Sequence, residues 1–175
     1  KIHVNEIKDM SSTLKAGDRV YLTGDVFTSR DAAHKRIKQA IEKGEKLPYD
    51  LENAVIYYVG PTPSPENLPI GSCGPTTSSR MDPYSPRLLD LSLAAMIGKG
   101  PRSQEVCDAI VRNKAVYFCA IGGAGALCAK GITECKEIAF KDLGCESVKK
   151  LILKDFSVVV AIDAKIFSEI VRKLP

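Results

Sequence analysis

The amino-acid sequence predicts one α/β domain, residues 1–175, in which helices flank a central, largely parallel sheet. Segments rich in β-branched and aromatic residues alternate with segments of helical periodicity along most of the chain. The segment 54–60, AVIYYVG, is an almost continuous apolar run, which is typical of a strand buried on both faces. With 175 residues, of which 45% are hydrophobic, the chain is long enough to bury a substantial core.

The chain before residue 54 contains one predicted strand and one predicted helix. The strand covers 18–27, DRVYLTGDVF, because β-branched and aromatic residues dominate it. The helix covers 30–43 and places its apolar residues on one face. Thr28 and Ser29 are suitable N-cap residues for this helix, and Gly44 is expected to end it.

The chain after residue 86 is predicted to continue the alternation of strands and helices. The expected elements are a helix at 87–96, a helix at 103–113, a strand at 114–122, a short helix within 122–132, a strand at 134–140, two strands around a turn at 146–163, and a helix at 164–175. A glycine-proline turn at 97–103 joins the first two helices.

A long irregular segment, residues 61–86, interrupts this alternation. Six of the ten prolines of the chain fall between positions 61 and 83, and Pro86 is a seventh. Such a segment is too long for a plain connection in a compact domain, and segments of this kind are usually functional or disordered. The segment is therefore a candidate functional region.

Composition and charge exclude several classes of function. The net charge is +4, the basic residues are dispersed, and only 6% of residues are aromatic, so nucleic-acid binding is not expected. The sequence has no apolar run of membrane-spanning length and no apparent signal peptide, so we expect a cytoplasmic protein. None of the six cysteines is spaced as C-x-x-C, which predicts free thiols and no metal site.

A first polar cluster lies at the start of the predicted helix, in TSRDAAHKR at 28–36. Arg30 and Asp31 fall in the first helical turn, and His34 lies one turn after Arg30. A helix N-terminus attracts anions, and an arginine placed there adds a two-point grip for a carboxylate or phosphate. The ordinary alternative, a solvated helix start, explains the same residues.

Two further polar clusters precede or follow predicted strands. GPTTSSRM, 74–81, places small hydroxyl residues before Arg80, and GKGPRS, 98–103, places glycines on both sides of Lys99. The first pattern can present hydroxyls and backbone N–H groups to an oxyanion, and the second lets the backbone approach a ligand closely. A capped turn and a solvated lysine remain the alternatives.

Together the three clusters predict an anion site for a dicarboxylate or a phosphate. They supply three cations and several hydroxyl groups. The sequence shows no nucleophile–base pair, no paired carboxylates and no metal-ligand pattern. The chain therefore looks like half of an active site, with groups that bind an anion but without an evident set of catalytic groups.

The same motifs resemble a known enzyme family. The quoted segments GPTTSSRMDPY, TSRDAAHKR, MIGKGPRS, AVYFCAIGGAGALCAKGI and FKDLGCESVKKLILKDFSVVVAIDAK are similar to the C-terminal part of class I, iron–sulfur-dependent fumarases and L-tartrate dehydratases. In many archaea and bacteria that part is a separate β subunit. The resemblance covers roughly residues 10 to 165, with the motifs in the same order.

The resemblance implies an architecture and a partner. The expected fold is a swivelling β/β/α domain, and the expected partner is an α subunit that binds a [4Fe-4S] cluster through three cysteines. None of the cysteines of this chain matches those ligands, so Cys73, beside the site motif, is not expected to bind the cluster. We expect a hetero-oligomer of higher order, acting on a small dicarboxylate, with neither nucleic acid nor membrane as a partner.

The resemblance also implies roles for individual residues. Thr76 would handle the proton at the substrate carbon that bears no hydroxyl group. Arg30, Arg80 and Lys99 would bind the substrate carboxylates. Asp31 and His34 would orient the side chain of Arg30.

The function that follows is the β subunit of a fumarate hydratase, inactive when isolated. L-tartrate dehydratase is the nearest alternative, because its chemistry and motifs are shared. A non-catalytic anion-binding module is the alternative from a different class of protein.

Overall fold

The computed structural model describes residues 1–120 and 124–165, which form a mixed α/β structure with a central sheet. The strands are β1 (Ile2–His3), β2 (Arg19–Thr28), β3 (Val55–Tyr57), β4 (Ala95–Gly98), β5 (Val116–Cys119), β6 (Ile132–Ala139) and β7 (Val148–Ile162). The α-helices are α1 (Ile7–Met10), α2 (Asp31–Lys43), α3 (Ser85–Asp90), α4 (Gln104–Arg112) and α5 (Gly125–Lys130). Short 3₁₀ helices cover Val4–Glu6, Ser78–Met81 and Lys141–Glu146.

The seven strands form one sheet that closes on itself. The strand order is β1-β2-β3-β4-β5-β7-β6, and β7 also pairs with β2. Neighbours from β1 to β5 are parallel, since helices return the chain to the same end of the sheet between β2 and β5. β7 runs antiparallel to β5, β2 and β6, so the sheet is mixed rather than largely parallel.

Two hydrophobic clusters cover the two faces of the parallel strands. Side chains such as Val55, Ile97 and Phe118 point into the closed sheet. Their neighbours along the strands, such as Ile56 and Tyr117, point outward against the apolar faces of α2, α3 and α4. The predicted burial of 54–60 on both faces is therefore confirmed for the core of that segment.

The predicted helix at 87–96 is wrong in its second half. The helix α3 ends at Asp90, and the apolar residues from Ala95 onward form the central strand β4. Ser92 adopts a positive φ of 74°, which reverses the chain between the two elements. A short apolar run has no periodicity that separates a buried strand from a helix, so the sequence did not mark this boundary.

The two strands predicted within 146–163 are one long strand, β7. Both halves pair with β2, from Lys150 opposite Phe27 to Val159 opposite Arg19. Asp155, with a φ of 50°, marks an irregularity of the pairing instead of a turn. The other predicted strands and helices are confirmed within a few residues, except the C-terminal helix, because 166–175 lie outside the described residues.

Within the described residues, no helix is long and apolar enough to cross a membrane.

Candidate active site

The three polar clusters lie at one edge of the sheet. β2, β3 and β4 are parallel neighbours, with Thr28 opposite Tyr57 and Tyr57 opposite Ile97. Their carboxyl ends therefore meet, and the segments that follow them carry the predicted site residues. We call this region the carboxyl edge.

Backbone contacts place the segment that carries Thr76 next to Lys99 at the carboxyl edge. The N–H of Thr76 donates to the carbonyl of Tyr58, at 2.8 Å, directly after β3. Thr77 forms a parallel bridge with Lys99, and the Ser78 N–H donates to the Lys99 carbonyl at 2.9 Å. The irregular segment thus pairs with the residue that follows β4, and Thr76 directly precedes the paired Thr77.

Gly98 permits this alignment because it leaves room for Ser78. A Cβ atom at residue 98 would lie 1.9 Å from Oγ of Ser78. That hydroxyl accepts hydrogen bonds from the backbone N–H of Lys99, at 3.0 Å, and from the phenol of Tyr117, at 2.9 Å. The close approach of the two segments therefore depends on a residue without a side chain.

Arg80 forms a two-point ion pair with Asp31. Its Nε donates to Oδ1 at 2.9 Å, and its Nη2 donates to Oδ2 at 2.5 Å. The side chain of Arg80 is 47% exposed, so the pair lies at the surface of the carboxyl edge. The structure therefore places Asp31 against Arg80 and not, as the sequence indicated, against Arg30.

Arg30 is paired with Glu146, a residue that the sequence interpretation did not include. Nη2 of Arg30 lies 3.7 Å from Oε1 of Glu146, and both side chains are about four-fifths buried, with 21% and 22% exposed. The arginine side chain lies over Gly60, where a Cβ atom would be 2.5 Å from Nη1. Within the described part of the chain, its buried Nε has no hydrogen-bond partner.

The start of α2 is capped differently from the sequence prediction. Arg30 occupies the N-cap position, without a side-chain cap. The hydroxyl of Thr28 donates to the Ser147 carbonyl at 3.2 Å and accepts from the Lys149 N–H at 2.9 Å, so Thr28 joins β2 to the start of β7 instead of capping α2. Oε2 of Glu146 instead accepts a hydrogen bond from the Ala32 N–H at 2.9 Å. A carboxylate distant in sequence has taken the place of the predicted local cap.

His34 lies behind the site in the protein interior, with 1% of its surface exposed. Its Nδ1 lies 2.9 Å from the carbonyl of Arg30 and 2.8 Å from Oγ of Ser29. Because a carbonyl only accepts, Nδ1 carries the proton in the neutral ring. Burial, aided by the positive charge of Arg102, lowers the pKa of His34 to about 4. His34 thus contacts the backbone of Arg30 and not its guanidinium group.

Arg102 is a buried cation that holds the loop after β4. Its side chain is fully buried, and its Nε donates to Oδ1 of Asp82 at 2.7 Å. The guanidinium lies over the rings of Tyr58 and Tyr117, and its Nη2 donates to Ser85 at 2.7 Å. All these partners are internal, so Arg102 supports the carboxyl edge without presenting its charge there.

Cys73 is fixed in the core beside the site. The phenol of Tyr57 donates to its carbonyl at 2.5 Å, and its own N–H donates to the Gly125 carbonyl at 3.2 Å. Burial raises the pKa of the Cys73 thiol to about 12. Among the residues that the structure describes, no three His, Cys, Asp or Glu side chains are arranged to hold a metal ion.

The arrangement is suited to binding carboxylates. Two arginines at the carboxyl edge already lie against carboxylates of the chain itself, and Thr77, the residue after Thr76, pairs with Lys99 on the backbone. Guanidinium groups favour such anions because their planar forks match a carboxylate. A helix N-terminus adds positive potential at the same edge.

Comparison with known proteins identifies the family of the chain. A sequence model of the family described as the fumarase C-terminus matches residues 1–169. Fumarate hydratase 2 of Leishmania major is 36% identical over 168 residues, which are 93% of this chain and 29% of that protein. The class I, anaerobic fumarate hydratase of Escherichia coli (strain K12) is 36% identical over 175 residues, which are 97% of this chain and 32% of that protein.

A third relative has a length close to that of this chain. It is named "Putative L(+)-tartrate dehydratase subunit beta", from Methanocaldococcus jannaschii, and is 36% identical over 170 residues, 92% of this chain and 87% of that protein. The chain therefore spans about a third of the length of the two fumarate hydratases and most of the length of the subunit.

Proposed function

The chain belongs to the fumarase C-terminus family, and from that premise we propose that it is the β subunit of a two-part hydro-lyase. The proposed reaction is the reversible hydration of fumarate to L-malate. The relatives named fumarate hydratase are about three times as long as the aligned region, so the proposal needs a second polypeptide for the remainder.

The observation that carries the proposal is the pairing of both site arginines with carboxylates. Arg80 holds Asp31 through two hydrogen bonds, and Arg30 lies against Glu146. A dicarboxylate needs a cation for each end, and in this proposal Arg80 supplies one and Arg30 the other. In the proposed complex Arg80 binds one substrate carboxylate, and Arg30 and Lys99 contribute to binding the other.

The proposed chemistry places a proton-transfer group beside these cations. Hydration adds a hydroxyl group to one alkene carbon and a proton to the other, and dehydration removes both. We assign the proton at the carbon without the hydroxyl group to Thr76. A threonine hydroxyl is a poor base, so neighbouring positive charge such as that of Lys99 has to stabilise its deprotonated form. The same cations stabilise the negative charge that spreads onto the adjacent carboxylate when this proton leaves.

Two supporting roles follow from the contacts. Asp31 orients Arg80 until a substrate carboxylate takes its place, and His34 fixes the backbone at Arg30 through its Nδ1. In this proposal His34 keeps its expected role of orienting Arg30, through the backbone, whereas Asp31 orients Arg80 in place of Arg30. Neither residue has to change its charge during the reaction.

The iron–sulfur part of the enzyme belongs, in this proposal, to the partner α subunit. The residues described in this chain do not fit a [4Fe-4S] cluster, since no three of their His, Cys, Asp or Glu side chains are grouped to hold a metal. The cluster would supply a Lewis acid for the substrate hydroxyl group. We also propose that the chain acts as one domain that swivels against its partner in a cytoplasmic hetero-oligomer.

L-tartrate dehydration is the second candidate, because a relative of similar length carries that name. Tartrate differs from malate by one hydroxyl group, and the residues named above would bind either dicarboxylate. The deciding experiment is anaerobic co-purification with a cluster-bearing α subunit, followed by assays with L-malate and L-tartrate. A clear preference for malate supports fumarate hydratase, and a clear preference for tartrate would replace that assignment.

A further inference from the structure

We propose that Glu146 is a positioning residue that holds the guanidinium of Arg30 in the orientation that binds a substrate carboxylate. The inference rests on the proposed function for the identity of that ligand. The contacts of the Glu146 carboxylate, on which the geometry of the inference rests, do not depend on the reaction.

The carboxylate of Glu146 uses its two oxygens for two different groups. Oε1 faces Nη2 of Arg30 at 3.7 Å, and Oε2 accepts the hydrogen bond of the Ala32 N–H at 2.9 Å. The second contact fixes the plane of the carboxylate relative to α2. Glu146 therefore presents its first oxygen to Arg30 from a fixed place.

An arginine at the start of α2 needs such a partner. The N-terminus of this 13-residue helix carries partial positive charge, which repels a guanidinium group. Arg30 is the N-cap residue and has no side-chain cap, so the first N–H groups also lack a local acceptor. The negative charge of Glu146 compensates for both and lets Arg30 remain at this position.

Within the described residues, the side chain of Arg30 is otherwise held by packing. Its side chain lies over Gly60, and its buried Nε has no hydrogen-bond partner within the described residues. The contact with Glu146 is its one ion pair in that part of the chain. Because the separation of 3.7 Å is longer than a hydrogen bond, the guanidinium keeps donors for a ligand oxygen.

The segment that carries Glu146 is anchored to the strand that precedes α2. The Lys149 N–H donates to Oγ1 of Thr28 at 2.9 Å, and that hydroxyl donates to the Ser147 carbonyl at 3.2 Å. A second ion pair, Arg36 with Asp142, joins the same segment to α2 on its exposed side. The contacts that hold the segment of Glu146 beside α2 are therefore all made by the chain itself and require no ligand.

The Arg36–Asp142 pair supplies the matched control for the test. The variant Glu146→Gln keeps an oxygen that can accept from the Ala32 N–H but removes the charge that faces Arg30. The variant Asp142→Asn removes an ion pair between the same two elements outside the site. In the assembled two-subunit enzyme we expect Glu146→Gln to raise KM for L-malate by about 10- to 100-fold, with a smaller effect on kcat. Asp142→Asn should change KM by less than about twofold.

A double variant shows whether Glu146 acts through Arg30. If it does, Glu146→Gln adds little to the KM increase caused by Arg30→Lys, because the interaction is already altered. Additive effects, or equal KM values for Glu146→Gln and Asp142→Asn, would overturn the proposal. A lower melting temperature for Glu146→Gln with unchanged KM would reduce Glu146 to a helix cap.

A second readout does not depend on turnover. In the ¹⁵N-labelled chain, the Nε–H signal of Arg30 should shift and exchange faster with solvent in Glu146→Gln, and should be unchanged in Asp142→Asn. An unchanged Arg30 signal in Glu146→Gln would overturn the inference even if the enzyme were active. If neither dicarboxylate is turned over but the signal responds as expected, the proposed function fails and the positioning of Arg30 stands.

Discussion

Arg80 grips Asp31 with the same two-point geometry that a substrate carboxylate would meet. We therefore expect Arg80→Ala to lower kcat/KM of the assembled enzyme for L-malate by about 100-fold, close to 3 kcal/mol of transition-state stabilisation. Steady-state kinetics of the co-purified enzyme measure this loss. An unchanged kcat/KM would remove Arg80 from the site.

The chain offers a control of the same geometry elsewhere. Arg112 binds Asp90 through Nε and Nη2, both at 2.9 Å, and its side chain is 50% exposed. This pair lies at the end of α4, away from the carboxyl edge. Arg112→Ala should leave kcat/KM within about twofold, since exposed ion pairs contribute little to stability.

His34 predicts how the stability of the fold depends on pH. Burial lowers its pKa to about 4, whereas in the unfolded chain it titrates near its ordinary value of 6.5. Between these two pKa values the unfolded state binds a proton that the folded state does not bind. The contribution of His34 to the free energy of unfolding is therefore complete above the unfolded-state pKa and is lost as the pH falls toward the folded-state pKa. From about pH 7 to about pH 5 the free energy of unfolding should fall by about 2 kcal/mol through this residue alone.

The two histidines of the chain make this prediction separable. Chemical denaturation across that pH range should give a flatter dependence for His34→Gln than for the unmodified chain. The variant His3→Gln, at an exposed position, should keep the original dependence. Equal pH dependences for all three proteins would show that His34 remains accessible to protons in the folded state.

How far single site residues follow from the sequence depends on where their partners lie. Arg30, Arg80 and Lys99 stand in local patterns that predict anion binding, and the structure places all three at one edge. Glu146 was missed because its partner Ala32 lies 114 positions earlier, and no local pattern reports such a contact. The pairing of Arg80 with Asp31 spans 49 positions and was missed for the same reason.

At the scale of elements, the parallel bridge between Thr77 and Lys99 holds the irregular segment against the end of β4. Gly98→Ala would place a methyl group against Ser78 and Tyr58, at 1.9 and 2.9 Å before any relaxation. We expect a loss of about 1–3 kcal/mol in the free energy of unfolding, because such overpacking has to displace the segment. In the assembled enzyme, kcat should also fall, since Thr76 moves relative to Lys99.

Gly74 is the matched control for that substitution. It lies in the same irregular segment, and a Cβ atom there would contact Gly125 Cα at an ordinary 3.4 Å. Gly74→Ala should therefore change the free energy of unfolding by less than about 1 kcal/mol. A Gly98→Ala variant as stable as Gly74→Ala would contradict the close approach that the structure shows.

Arg102 connects the helix α3, the loop after β4 and the rings behind the site. Arg102→Ala would leave the carboxylate of Asp82, which is 13% exposed, without its buried partner. We expect the free energy of unfolding to fall by about 3–5 kcal/mol, measured by urea denaturation. Arg36→Ala, which breaks an exposed pair, should lower it by less than about 1 kcal/mol. Similar losses for both variants would show that the Arg102 pair is not specially stabilising.

Elements with a clear period follow from the sequence better than elements that the tertiary structure defines. The amphipathic helices α2 and α4 were predicted closely, because their apolar residues recur at helical spacing. The boundary between α3 and β4 and the continuity of β7 were not, since both depend on pairing with distant strands. The closure of the sheet through β7 likewise has no local signal.

At the scale of the whole molecule, the proposed enzyme consists of two polypeptides. In the proposal, this chain supplies the residues that bind the substrate carboxylates and the proton-transfer group, and it spans about a third of the length of related fumarate hydratases. The remaining chemistry is assigned to the partner. The fold serves this division because the carboxyl edge gathers cationic residues from three segments of the chain onto one surface.

The central claim is tested most directly by measuring L-malate dehydration for this chain alone, for the cluster-bearing partner alone, and for the two together under anaerobic conditions. The account predicts turnover only when both polypeptides are present. Turnover by this chain alone, or by the partner alone at the rate of the pair, would contradict it.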